Sequence, residues 1–199
     1  MTPAAKRPRT QRAEVRREQL MNAAQALFLN HGFADTSVDE IVGAAQAAKG
    51  TFYLYFKTKE DVLHALRERF IERFHQRLER AVARRPGEDW TGRLDAWIEA
   101  AVNGYLDDLA LHDLVFHEFR PSVRHAEQDN PIAPQLTALL ADGAKADAWT
   151  VRDARLTAVM LFSAFHGAVD DHISAPDKMS RRRLIGELRD FCRRALGLS

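Results

Sequence analysis

The first apolar positions of the chain predict an amphipathic helix. Four of them recur at helical spacing: Leu20, Ala24, Leu27 and Phe28. Gly32 follows His31 and is a typical helix stop, so we expect a helix over residues 13–31. The basic segment in front of it lacks an apolar period and is expected to form a flexible arm over 1–12.

Two capping-box patterns mark the next helix starts. Ser37 followed three residues later by Glu40 opens a short second helix. An apolar and aromatic segment over 49–56 comes after a few residues and predicts a third. Thr58 with Asp61 repeats the capping pattern and begins a long helix.

The rest of the chain also has helical spacing. Helices are expected over 90–111, 112–119, 132–146, 156–169 and 184–196. The segment 156–169 is apolar on nearly every side, so a helix there must contact neighbours all round. Alternation with period two is absent over any useful length, which favours an all-α architecture of about nine helices.

Charge is distributed unevenly along a chain that has enough apolar residues to fold. The 199 residues are 46% hydrophobic, which excludes wholesale disorder. The net charge is +1, but the first 60 residues carry +3 and the remainder −2. The positive excess therefore lies in the segment that contains the first three predicted helices.

Cysteine content and hydropathy limit the class of protein further. Cys192 is the only cysteine, which excludes an intrachain disulfide and a cysteine-rich zinc site. No apolar stretch is long enough to span a bilayer or to form a secretory segment. We therefore expect a cytoplasmic protein with neither metal nor cofactor.

Two short helices joined by a tight connection beside a third form a helix-turn-helix, whose second helix can enter the major groove of DNA. In the segment 49–56 the side chains suited to DNA contact are Lys49, Thr51, Tyr53 and Tyr55. Gly50 permits close approach of backbone N–H groups at a helix start. An aromatic run of this kind is, taken alone, more often core than interface.

The order and spacing of many residues in this region are those of a known family. The segments 36–42 (TSVDEIV) and 49–62 (KGTFYLYFKTKEDV), with ALF at 26–28 and HGF at 31–33, closely resemble the DNA-binding domain of TetR-family transcriptional regulators. The resemblance covers about residues 13–66. It implies a helix-turn-helix DNA-binding domain over 13–60 and a helical ligand-binding and dimerisation domain over 61–199.

The resemblance also assigns roles to individual positions. It implies that Ser37, Tyr55 and Lys59 hold phosphates of double-stranded DNA. It places Lys49, Gly50, Thr51, Tyr53 and Leu54 in or beside the major groove. Physical chemistry agrees for Lys59, whose ammonium could grip a phosphate together with free N–H groups at the start of the long helix. Leu54 could contact a thymine methyl.

The turn before the third helix departs from the family pattern. Where the family usually has Gly, an apolar residue and Ser before the Lys-Gly pair, this chain has Gln46, Ala47 and Ala48. Loss of a hydroxyl cap costs about 1 kcal/mol of helix stability. We therefore expect a third helix that is looser in the free protein.

A dimer and a small-molecule effector are expected from the resemblance. Family members dimerise through their last two long helices, here the segments 156–169 and 184–196, and two copies can read two half-sites. Effector binding in the C-terminal domain releases DNA. The aromatic and histidine side chains that could line the pocket are Trp97, Tyr105, Phe116, Phe119, Phe162, Phe165 and His166.

The predicted function is thus a repressor released from a palindromic operator by its effector. An activator remains an alternative, as does a protein that binds DNA without sequence preference. A third alternative is an all-α metalloenzyme that uses His166 and Asp170, which share a helical face at i and i+4. The basic residues Lys6, Arg7, Arg9 and Arg12 could trail into a groove of DNA or remain solvated.

Overall fold

Nine α-helices and no strand make up the described part of the chain, residues 9–117 and 132–198 without 176 and 178, in this computed structural model. The predicted all-α architecture is confirmed. In chain order the helices are α1 (Arg9–His31), α2 (Val38–Ala44), α3 (Lys49–Tyr53), α4 (Lys59–Ala83), α5 (Trp90–Asp107), α6 (Leu109–His117), α7 (Ile132–Lys145), α8 (Ala154–Ser174) and α9 (Arg181–Ala195). None of these helices is long and apolar enough to cross a membrane.

The first helix begins earlier than its apolar pattern indicates. It starts at Arg9, so the arm predicted over 1–12 is wrong for its last four residues. Arg and Gln have good intrinsic helix propensity. From residue 13 onward the first buried position of α1 is Leu20, so the start of the helix has propensity but no apolar period to mark it. Lys6 and Arg7 lie outside the described residues.

The helix predicted over 90–111 is divided in two. Helix α5 ends at Asp107, and Asp108 has φ −112° and ψ 25°, outside the α-helical range. Helix α6 begins at Leu109 and continues through the predicted start of the next helix at residue 112. Val102, Tyr105, Leu106 and Leu109 keep helical spacing on either side of Asp107 and Asp108, so local spacing could not reveal the break.

The described residues form two compact units. The N-terminal unit contains 9–70 and 110–117, and the C-terminal unit contains 71–109 and 132–198. The division falls between residues 70 and 71 inside α4, ten residues beyond the boundary expected at 60 and 61. The reason is long-range packing, because the Phe70 ring contacts the rings of His112 and Phe116 at centroid distances of 5.9 Å.

The N-terminal unit is held together by an apolar core and a polar clasp. Helix α1 packs against α2 and α2 against α3. The core side chains include Leu20, Met21, Phe28, Ile41, Phe52, Phe56, Val62, Leu63 and Leu66. The Arg69 guanidinium of α4 donates to Glu18, Asn22 and Gln25 of α1 at 2.6 to 2.8 Å. This clasp fixes α4 to α1.

The C-terminal unit has a separate core. Helix α8 packs against α7, α9 and α5, and α9 also packs against α5. Polar contacts support the α5–α9 pair, where Arg193 binds the Asp95 carboxylate and Arg189 donates to Glu99 at 2.5 Å. Trp149 is buried and donates to the Leu140 carbonyl at 2.8 Å.

Candidate nucleic-acid interface

The capping box predicted at residue 37 fixes the start of α2. The Glu40 N–H donates to Ser37 Oγ at 3.2 Å, and the Ser37 N–H donates to Glu40 Oε2 at 2.7 Å. Donation to the Glu40 carboxylate by the Ser37 N–H, and by the Ser37 hydroxyl, lowers the pKa of Glu40 below its ordinary value of 4.5. The Ser37 hydroxyl also donates to Glu40 Oε2 at 2.8 Å, so the group predicted to hold a phosphate already has partners within the helix start.

The turn between α2 and α3 is strained and uncapped. Gln46 has φ 50°, in the left-handed region that favours glycine. Ala48 stands at the N-cap of α3 with extended backbone, and no side chain caps the helix. The structure therefore confirms that α3 lacks a side-chain N-cap, as the sequence predicted. Helix α3 relies on tertiary contacts through Phe52, which is fully buried.

Helix α3 and the residues after it have one buried and one exposed face. Phe52 and Phe56 lie in the core, with their ring centroids 5.8 Å apart. Tyr53 is 53% exposed and Leu54 is 80% exposed, an unusual fraction for a large apolar side chain. The other predicted contacts follow this division, with Lys49 and Gly50 exposed and Thr51 and Tyr55 half-buried. The structure therefore brings the predicted groove residues to one accessible segment.

Lys49 has an anionic partner on the preceding helix. Its Nζ lies 2.7 Å from Asp39 Oδ1, and the two side chains are 54% and 70% exposed. The hydrogen bond to the Asp39 carboxylate raises the pKa of Lys49 above its ordinary value of 10.5. Both side chains of the pair are accessible from solvent. Asp39 was not among the predicted site residues, because the partner lies ten positions away and on another helix.

Lys59 makes contacts different from those predicted. Its ammonium donates to the carbonyls of Phe33, Ala34 and Thr36 at 2.8, 2.8 and 3.0 Å. An ammonium has three N–H donors, so all three are used within the chain. In this conformation Lys59 anchors the segment between α1 and α2 to the start of α4, and it has no donor left for a phosphate.

The N-terminus of α4 is capped by its own side chains. Asp61 Oδ2 accepts from the N–H groups of Lys57 and Thr58 at 2.8 and 3.1 Å, and the Asp61 N–H donates to Thr58 Oγ1 at 3.2 Å. The second capping pattern is therefore confirmed. The N–H groups of residues 57, 58 and 61 therefore already have partners within the chain.

The predicted effector-pocket residues divide between the two units. Phe116 belongs to the N-terminal unit, whereas the others that are described belong to the C-terminal unit. There Trp97, Tyr105 and Phe165 are buried, and Phe162 and His166 are half-buried around them. Successive ring centroids lie 4.3 to 6.3 Å apart. Phe119 lies outside the described residues.

The side chains proposed for a metalloenzyme have other partners. His166 Nδ1 lies 3.0 Å from the Phe162 carbonyl, and Asp170 Oδ1 accepts from the Tyr105 hydroxyl at 3.2 Å. Among the described residues there is no group of three or more His, Cys, Asp or Glu side chains arranged to hold a metal ion. The geometry therefore does not favour His166 and Asp170 as a catalytic metal site.

The fold and this site define an all-α protein whose N-terminal unit carries a helix-turn-helix with an accessible second helix, the DNA-binding type of motif. Comparison with protein families agrees. A model described as bacterial regulatory proteins, tetR family, matches residues 20–66, and one described as Tetracyclin repressor-like, C-terminal domain, matches residues 89–196. The second match alone covers more than half of the chain. The chain belongs to the TetR family, which confirms the resemblance seen in the sequence.

Relatives with curated names are similar over part of their length. The HTH-type transcriptional repressor NemR of Escherichia coli (strain K12) is 32% identical over 89 residues, which cover 45% of this chain and 44% of that protein. The fatty acid metabolism regulator protein of Bacillus subtilis (strain 168) is 38% identical over 61 residues, 31% of each chain. The chain thus spans less than half the length of these relatives.

Solved structures share the fold over nearly the whole chain. The fatty acid degradation regulator FadR from Bacillus halodurans has a TM-score of 0.70 at 23% identity, covering 95% of this chain and 96% of that one. SmeT in its triclosan complex has a TM-score of 0.69 at 22% identity and covers 91% of both chains.

Proposed function

We propose that this protein is a sequence-specific DNA-binding regulator that represses transcription from a palindromic operator. The observation that carries the proposal is the accessible segment around α3, where exposed Lys49, Tyr53 and Leu54 stand outside a buried Phe52 in a TetR-family chain. An 80% exposed Leu54 contributes little to the core of its unit. Contact with a thymine methyl in the major groove would remove the Leu54 side chain from water.

The proposed interface has two kinds of contact. Lys49, Gly50, Thr51, Tyr53 and Leu54 face base edges in the major groove. The Tyr55 hydroxyl contacts one phosphate, and the Ser37 hydroxyl contacts another when it turns away from Glu40 Oε2. Phosphate contacts hold the motif on any duplex, and base contacts distinguish sequences.

Selection of bound sequences from a random DNA pool tests the sequence specificity. At about 0.15 M salt the purified full chain should enrich a two-fold symmetric consensus with half-sites about one helical turn apart. Thr51→Ala and Tyr53→Ala should alter the consensus, whereas Arg155→Ala, an exposed change in the C-terminal unit, should not. Equal affinity for all sequences would instead support binding without specificity.

The homodimer part of the proposal is supported by apolar residues that the C-terminal unit leaves exposed. Leu156, Val159 and Met160 share one face of α8 and are 41% to 55% exposed, and Phe191 of α9 is 45% exposed. A groove of about 470 Å³ between α8 and α9 continues this surface past Ala168 and Leu188. A second copy would cover these side chains.

Sedimentation equilibrium tests the dimer. The wild-type chain should have twice its monomer mass, and Met160→Glu with Phe191→Glu should give a monomer of unchanged helix content, because a charge opposite its own copy is costly to bury. Leu29→Glu, which changes an equally exposed apolar residue of α1, is the control. A monomeric wild type would contradict the homodimer.

The effector part of the proposal is supported by the aromatic cluster of the C-terminal unit. The half-buried Phe162 and His166 stand at its edge, and the Tyr105 hydroxyl adds a polar group there. This combination suits a partly apolar, aromatic molecule. Such an effector would act by favouring a conformation of the dimer that no longer fits the operator.

The dye 8-anilinonaphthalene-1-sulfonate can serve as a probe of this cluster. One molecule should bind per protomer and weaken operator binding, and Phe162→Ala should reduce its affinity. Phe191→Ala is the control for binding in the α8–α9 groove. Loss of dye binding in Phe191→Ala alone would contradict the proposed pocket.

A reporter gene tests repression. Expression from a promoter that overlaps the operator should fall when the protein is present, whereas increased expression would indicate an activator.

A further inference from the structure

The ion pair between Asp39 and Lys49 is not required to hold the helix-turn-helix together. Exposed ion pairs contribute roughly 0 to 1 kcal/mol to folding. The arrangement of α2 and α3 is already determined by Ile41 and Phe52, which are both fully buried. The pair therefore presents a strong donor and a strong acceptor, 2.7 Å apart, on the surface that the proposed function turns toward DNA.

This spacing matches the edge of a base pair. In the major groove a G·C pair presents guanine N7 and O6 as acceptors and cytosine N4–H as a donor. O6 and N4 are joined by an N–H···O hydrogen bond, so they lie about 2.9 Å apart. A lysine ammonium and a carboxylate at 2.7 Å can therefore bind the two atoms side by side.

An A·T pair fits the same two side chains less well. It offers thymine O4 to an ammonium and adenine N6–H to a carboxylate, but the adenine N7 acceptor would lie beside the carboxylate and repel it. In a G·C pair the two acceptors adjoin each other and both face the lysine. The carboxylate then lies next to cytosine C5, which carries only hydrogen.

We propose that Asp39 is a specificity-determining residue, and that Asp39 and Lys49 together read one G·C pair in each half-site. Lys49 donates to guanine N7 and O6, and Asp39 accepts from cytosine N4–H. This inference rests on the proposed function and deepens it, because it names a base pair and the strand that each side chain contacts.

The same pair also limits binding to other sequences. Lys49 without its partner could neutralise any phosphate, whereas the carboxylate of Asp39 repels the backbone of a duplex that offers it no donor. Removal of Asp39 should therefore raise affinity for non-specific DNA. It should also steepen the dependence of log Kobs on log salt by up to about 1.

The test compares sequence selection by the wild type, Asp39→Ala and Asp39→Asn, with Asp35→Ala as a control. Asp35 is an equally charged, exposed residue of the same unit and lies outside α2. The wild type should require G·C at one position of each half-site, with roughly tenfold discrimination. Because Lys49 alone still binds guanine, the Asp39→Ala variant should show reduced discrimination for G·C at that position, Asp39→Asn, which keeps an oxygen acceptor, a smaller reduction, and Asp35→Ala the wild-type discrimination.

Modified bases give a second readout at the selected position. N4-methylcytosine should weaken binding of the wild type and leave Asp39→Ala unaffected. Inosine in place of guanine keeps N7 and O6 and should be neutral for both proteins. Circular dichroism of each variant distinguishes lost recognition from unfolding.

The outcomes separate the two proposals. A wild type that selects no sequence would overturn the proposed function and this inference together. A wild-type consensus that both Asp39 variants reproduce at every position would overturn the inference alone. A consensus without G·C at the position sensitive to Asp39 would also overturn it.

Discussion

Lys59 and Phe33 connect two segments of the N-terminal unit that are distant in sequence. The ammonium of Lys59 donates to the Phe33 carbonyl at 2.8 Å and lies 4.7 Å from the centroid of its ring. The ring itself stands edge-on to Phe28 at 5.0 Å. The start of α4 is thus connected to the end of α1 and to the segment that leads into α2.

These contacts predict that Lys59 contributes to the stability of the fold more than to phosphate binding. Lys59→Met should lower the free energy of unfolding by about 2 kcal/mol, because three carbonyls lose a charged donor. The salt dependence of DNA binding should remain that of the wild type. Urea unfolding and a salt titration measure the two effects.

Lys57→Met is the matched control, since Lys57 is exposed and lies two residues before Lys59. It should leave the unfolding free energy unchanged. A Lys59→Met variant with wild-type stability and a salt slope reduced by about 1 would instead identify Lys59 as a phosphate contact.

The uncapped start of α3 predicts a stabilising substitution. Ala48 has the extended backbone of an N-cap residue, with φ −73° and ψ 148°. Ala48→Thr should raise the free energy of unfolding by about 1 kcal/mol relative to Ala48→Val, because only threonine supplies a hydroxyl acceptor. Paired urea titrations of the two variants measure the difference, and equal stabilities would show that the hydroxyl forms no cap.

The contact between Gly143 and Trp149 predicts a position where a methyl group is not tolerated. A Cβ at Gly143 would overlap the indole ring, which is buried and hydrogen-bonded to Leu140. Gly143→Ala should destabilise the protein by about 2 kcal/mol through overpacking. Gly186→Ala in α9, where a Cβ meets nothing within 4 Å, should be neutral or stabilising by about 0.5 to 1 kcal/mol. Thermal unfolding of both variants checks the contrast.

The environment of Cys192 predicts low thiol reactivity. Burial and the neighbouring Asp95 raise the pKa of Cys192 from 9.0 to about 12. The reactive thiolate should therefore be about a thousandfold rarer at pH 8 than for an ordinary thiol. Iodoacetamide at pH 8 should modify the folded protein very slowly and the urea-unfolded protein rapidly. Similar rates in both states would contradict the burial of this side chain.

Local signals predicted the helix starts that depend on neighbouring residues. The capping boxes at Ser37 and Thr58 involve partners three residues away, so the sequence contains all that they require. The missing cap at Ala48 was visible for the same reason. The break at Asp108 was not predicted, because the apolar pattern continues across it.

The sequence by itself determined the all-α class, the helix-turn-helix segment and the family, since these follow from periodicity, capping and the order of motif residues. The tertiary structure alone decided which polar groups meet. Lys59 binds carbonyls 23 to 26 residues earlier in the chain, and Lys49 binds Asp39 across a turn. The folded backbone brings these donors and acceptors within hydrogen-bond distance although they are far apart in sequence. A local sequence pattern therefore cannot predict which of them will pair.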